Sequence, residues 1–136
     1  MNAVTLETVK KLADEPENKR IALFSLTVWE AECMRDALAN ACGGNMMSTS
    51  FRDITEDLIA QIRQGNWPDW GKYEAPRVLI LEGLSYVAGK CATQKEILNL
   101  LNKRMENQTL TIIFSDLPPD ELRTGMCEDF HRLLTH

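Results

Sequence analysis

Nothing in the 136-residue chain approaches the roughly 18 consecutive apolar residues that a membrane-spanning helix requires, so no membrane span is expected. Basic charge is also scarce: 15 Lys and Arg are dispersed among 20 Asp and Glu, for a net charge of −5. No basic stripe is left to neutralise a phosphate backbone, which argues against autonomous nucleic-acid binding. Closely spaced metal ligands are missing too. The four cysteines, Cys33, Cys42, Cys91 and Cys127, form no C-x-x-C pair, and the two histidines, His131 and His136, lie at the C-terminal end. Zinc sites are built from close ligand pairs, so the thiols are expected to be reduced and no metal is expected. The opening residues, "MNAVTLETVKKLADEPENKR", are polar and amphipathic rather than a signal peptide, and a cytoplasmic location is the expectation.

What the chain does carry is the composition of a globular protein, 44% hydrophobic and 26% charged. Its length fits one domain over residues 1–136, enough to bury roughly two-thirds of the unfolded surface. Val4, Leu6, Val9 and Leu12 recur at helical spacing before "EPENKR" interrupts them. "RIALFSL" is an apolar run of strand length, and Thr27 with Glu30 forms a T-x-x-E capping box opening a helix that should stop at Gly43 and Gly44. "NMMSTS" reads as a second strand. It is followed by a helix expected to turn Phe51, Ile54, Leu58, Ile59 and Ile62 inward before Gly65. After the loop "NWPDWGKYEAP" comes the strand "RVLILEG". Thr93 and Glu96 suggest a second capping box, for a helix with Ile97, Leu98, Leu100 and Leu101 on its apolar face. "LTIIFS" is the last strand, and "PPDELRTGMCEDFHRLL" reads as one or two short helices. Strands alternating with helices predict an α/β fold: a three-layer parallel sheet of about four strands.

Three short motifs sit in fixed order in the second half: "AGK" at Ala88 to Lys90, "TQ" at Thr93 and Gln94, and "SDLPP" at Ser115 to Pro119. With the strand "VLILEG" before them, they resemble the segment from the Walker B strand through sensor 1 in the replication-initiator ATPases of the DnaA and Hda family. "SFRDITEDLIAQIRQGN" is similar to the family's second strand and helix, and the likeness runs from about Arg20 to Leu134. It implies a P-loop ATPase-like fold of the AAA+ class with the strand order 1-4-3-2, without the family's lid and DNA-binding domains.

The chemistry that the resemblance implies is degenerate here. A phosphate loop needs glycines whose backbone N–H groups cradle phosphates, a Lys for the terminal phosphates and a hydroxyl for magnesium. The corresponding positions, Ser25 to Glu32, contain neither Gly nor Lys, and Glu30 and Glu32 bring negative charge to the helix N-terminus where phosphates would sit. Glu82 falls on the magnesium-ligand position and Gly83 on the one that should polarise water. Asp116 retains the sensor 1 polar group, and the Arg-finger position falls near Leu134. Thr27, Glu82 and Asp116 are thus the expected vestige of a nucleotide site, with no nucleotide or other cofactor and no catalysis. Ordinary structure also accounts for each of them: a helix cap, a polar strand end and a turn.

Trp67, Trp70 and Tyr73 crowd one short loop, where they serve equally well as a local mini-core or as a docking surface, since tryptophans are enriched in both. Family contacts to single-stranded DNA fall here on Ile59, Lys90 and Ala92, of which only Lys90 is basic. The expected function is a non-catalytic module that modulates replication initiation by contacting DnaA, a helicase or a loader, or a second copy of itself. A nucleotide-binding ATPase with an eccentric site and a single-stranded-DNA-binding accessory protein are the alternatives.

Overall fold

The computed structural model describes residues 21–42 and 45–135. The helix expected around Val4 to Leu12 and the stop at Gly43 and Gly44 lie outside them. Four strands, β1 (Ile21–Ser25), β2 (Met46–Ser50), β3 (Val78–Glu82) and β4 (Leu110–Ser115), form one sheet in the order β1-β4-β3-β2. All three pairings are parallel. The two central strands are the ones written as continuous apolar runs: all of β4 and Val78 to Leu81 of β3 are buried, as a strand covered on both faces must be. No helix among the described residues is long and apolar enough to cross a membrane.

The pleat divides the core in two. One face carries Leu79, Leu81 and Ile113, packed against α2 (Phe51–Arg63), α4 (Cys91–Glu106), α5 (Pro119–Gly125) and α6 (Glu128–Thr135). On the other, Val78, Ile80, Ile112 and Phe114 meet Ala31, Met34 and Leu38 of α1 (Val28–Cys42). A one-turn helix, α3 (Gly71–Glu74), and a 3₁₀ turn at Leu84–Val87 complete the elements among the described residues.

Three expectations need correction. Ile59 and Ile62 do not face inward; they are 40% and 54% exposed. At 100° per residue Ile59 falls beside the buried stripe of Phe51, Ile54, Thr55 and Leu58, whereas Ile62 lies in line with it but in the last turn of α2, beyond the last buried residue, Leu58. Thr93 and Glu96 form no capping box, because α4 starts two residues earlier, at Cys91, straight from the turn at Gly89. Cys91 and Cys127 are not free thiols but a disulfide. The fold brings the first residue of α4 against the α5–α6 connection, with Cα atoms 5.9 Å apart, from positions 36 residues apart in the chain. A spacing that wide leaves no local signal in the sequence.

Arg104, in the last turn of α4, is fully buried and has no carboxylate partner among the described residues. Its guanidinium donates to the Thr111 hydroxyl (2.8 Å) and to the carbonyls of Tyr73 (2.9 Å), Glu74 (3.3 Å), Pro76 (2.9 Å) and Leu110 (2.7 Å). Burial pushes its pKa down to about 10, so it remains charged at neutral pH. One side chain thereby fixes the segment leading into β3 to the start of β4.

Candidate functional site at the strand ends

In a parallel sheet every strand points its C-terminal end to the same rim, and ligands of open α/β folds bind there. Thr27, Glu82 and Asp116 all lie on that rim, after or at the ends of β1, β3 and β4. Each is already engaged by a protein neighbour. The Glu30 N–H donates to the Thr27 hydroxyl (3.2 Å), and the Thr27 N–H donates to the Glu30 carboxylate (3.1 Å). The capping box expected from the sequence is therefore formed. Hydrogen bonds from the Thr27 backbone N–H and then its side chain hold the Glu30 carboxyl below its ordinary pKa. The helix end thus carries its own anion.

Glu82 is ion-paired with Arg35 of α1, whose guanidinium also lies 5.7 Å from the centre of the Phe114 ring. Asp116 accepts the Ser85 backbone N–H (2.8 Å) and hydroxyl (2.5 Å), which ties the end of β4 to the 3₁₀ turn. Gly83 has φ +71°, in the left-handed region, so the turn after β3 is built on glycine and an acidic side chain there would be strained. Leu134, near the Arg-finger position, is buried in the core. These residues do not fit a bound nucleotide with magnesium: the loop has no glycine cradle, its helix end holds a carboxylate, and the candidate metal ligand is neutralised by an arginine. Among the described residues no cluster of three or more His, Cys, Asp or Glu could hold a metal ion. Sequence reasoning did not single out Val28 and Trp29, which stand 79% and 61% exposed on the first turn of α1; the strand-to-helix junction gives no periodicity from which to read their orientation.

No family model matches the chain. A curated relative, the chromosomal replication initiator protein DnaA of Thermodesulfovibrio yellowstonii, is 29% identical over 79 residues, covering 57% of this chain and 18% of that protein. Among solved structures, the replication initiator DnaA bound to AMPPCP and single-stranded DNA superposes with a TM-score of 0.83 at 18% identity, over 98% of this chain and 44% of that one. Domain III of the Thermotoga maritima initiator DnaA gives 0.79 at 15% identity, over 98% and 58%. The DnaC helicase loader gives 0.64 at 19% identity, over 98% and 82%. The fold is that of the DnaA-like AAA+ replication initiators. The chain spans less than a fifth of the curated DnaA it matches and less than half of the DnaA structure that binds AMPPCP and DNA.

Elsewhere on this DnaA-like domain, the three loop aromatics part company. Trp70 and Tyr73 belong to the core, their ring centres 6.0 Å apart, whereas Trp67 is 91% exposed. The loop therefore does not present a three-residue docking surface; its inner two aromatics are structural. The Tyr73 hydroxyl donates to Asp57 (2.9 Å), which also pairs with Lys72 (3.1 Å). Burial raises the pKa of Asp57, but hydrogen bonds from Tyr73, Lys72 and Gln61 outweigh it and hold the carboxyl below its ordinary value. Burial, reinforced by the bond to Asp57, raises that of Tyr73. Ile59, Lys90 and Ala92 are exposed. Beside Lys90 lies the half-buried ring of Tyr86, whose centre is 3.9 Å from the Lys90 ammonium.

Proposed function

We propose that this DnaA-like domain is a non-catalytic, cytoplasmic protein-binding module that modulates replication initiation by contacting DnaA, a helicase or a loader. The reading is carried by the rim: Thr27, Glu82 and Asp116, which would handle phosphate, magnesium and sensing in an ATPase, are each satisfied by Glu30, Arg35 and Ser85. With the nucleotide site closed, association has to rest on side-chain packing, and Trp67 is the exposed anchor best suited to it. Two measurements test the proposal. Isothermal titration calorimetry is expected to detect no binding of ATP or ADP at millimolar concentration; a micromolar dissociation constant or measurable hydrolysis would overturn the non-catalytic reading. Immobilised protein is expected to capture purified DnaA, replicative helicase or loader from the same host, and Trp67→Ala to weaken that capture by about tenfold or more. Capture of none of the three would remove the replication role.

A further inference from the structure

We propose that the groove beside Trp67 receives an arginine side chain of a protein partner, the indole face stacking on the guanidinium and Asp69 pairing with it. This inference rests on the protein-docking reading above and specifies the partner's chemistry. The groove, about 540 Å³, runs between α2 and the following loop and is lined by Asp57, Gln61, Asn66, Trp67, Asp69 and Lys72. Trp67, Asn66 and Asp69 are exposed, so it is an open surface for a macromolecule's side chain, not an enclosed small-molecule pocket.

The loop that holds Trp67 is fixed on both sides. On one, Gly65 and Asn66 donate backbone hydrogen bonds to Ile62 (2.9 Å) and Gln61 (3.0 Å). On the other, the Gln61 side-chain amide grips the Asp69 backbone twice, accepting from its N–H (2.6 Å) and donating to its carbonyl (3.3 Å). Beyond it, Trp70 is anchored in the core. A large aromatic exposed on so constrained a segment loses little freedom on binding, which is the condition for an interface anchor.

Charge chooses the occupant. Asp57 and Lys72 neutralise each other. Asp69 accepts the Gly71 N–H through Oδ1 (2.9 Å), and its Oδ2 has no protein hydrogen bond among the described residues. The groove thus offers an aromatic face with one uncompensated carboxylate beside it. A planar cation uses both at once, stacking on the ring and pairing with the carboxylate. A phosphate or a partner carboxylate would be repelled by Asp69.

The test is a ¹⁵N-labelled titration of the full chain with a blocked Gly-Ser-Arg repeat peptide, its Gly-Ser-Lys counterpart, and oligo-dT. The indole signals of Trp29, Trp67 and Trp70 are assigned by single Trp→Phe variants. The arginine peptide is expected to shift the Trp67 indole and Asp69 amide saturably, and the lysine peptide to bind about threefold more weakly. Trp67→Ala is expected to remove saturation. Asp69→Asn, which keeps the oxygen that accepts from Gly71, is expected to weaken binding about 3- to 10-fold. Equal binding of both peptides, shifts centred on Trp29, saturable shifts from oligo-dT at Trp67, or insensitivity to Trp67→Ala would each overturn the proposal. If the peptide fails while Trp67→Ala still abolishes capture of a replication protein, docking stands and the arginine is wrong. The reverse pattern leaves the arginine groove without the replication partner.

Discussion

The rim at the strand ends and the segment joining α2 to β3 are both short, turn-rich and polar, and both supplied residues that the sequence marked as functional. They are held in opposite ways. On the rim, Thr27, Glu82 and Asp116 are each engaged by another residue of the fold, Glu30, Arg35 and Ser85. In the joining segment the inner residues are over-anchored, with Trp70 and Tyr73 in the core and Arg104 gathering three backbone carbonyls, while Trp67 stands exposed. A side chain that the fold already explains is weak ground for a function. One that the fold leaves exposed on a rigid frame is better ground.

The largest expected break in that contrast comes from Arg104. Arg104→Ala should destabilise the domain by roughly 3–5 kcal/mol, because it leaves several buried carbonyls and the Thr111 hydroxyl without donors. Urea unfolding followed by circular dichroism measures it, and a loss under 1 kcal/mol would show that water replaces the guanidinium. Next is the pair of tryptophans. Trp70→Ala, at a site only 9% exposed, should cost about 2–4 kcal/mol, and Trp67→Ala less than about 0.5 kcal/mol. Equal costs in thermal melts would erase the distinction between inner and outer residues.

The smallest effect is on pH. The folded pKa of Asp57 lies below its ordinary 3.8, so its stabilising contribution is present above that value and is lost as pH falls through the folded pKa. An Asp57→Asn variant should lose that part of the acid sensitivity, seen as a flatter dependence of melting temperature on pH below about 4. An unchanged profile would place the acid-sensitive contacts elsewhere.

Much of the architecture was legible because it is written in local patterns. The apolar runs of β3 and β4 and the T-x-x-E box at Thr27 each have a local physical cause, and the strand order followed from the resemblance. The misreadings of Ile59, Ile62 and the two bridged cysteines share a different cause, which is dependence on residues distant in the chain. Ile59 and Ile62 are apolar, and only the packing of α2 decides how wide its buried stripe is and how far along the helix it runs. The Cys91–Cys127 bridge and the Arg104 network join segments 36 and about 30 positions apart. At the candidate site, the stretch Ser25 to Glu32 can be read to hold no glycine or lysine, but the partners of Glu82 and Asp116 are visible only once the strand ends are side by side. The split within "WPDW" is of the same kind, since the composition of the loop is silent on which tryptophan turns inward.

The position of β1 bears on how the chain comes together during its synthesis. Its neighbour in the sheet is β4, with Ile21 opposite Thr111 and Ser25 opposite Ser115. While the ribosome is delivering the middle of the chain, β2 and β3 can already pair, but the first strand has nothing to pair with. Its apolar residues, Ile21 and Leu23 on one face and Ala22 and Phe24 on the other, must wait for nearly the whole domain to emerge. The earliest strand to leave the ribosome among those described is therefore the one that cannot be placed until the last has been made.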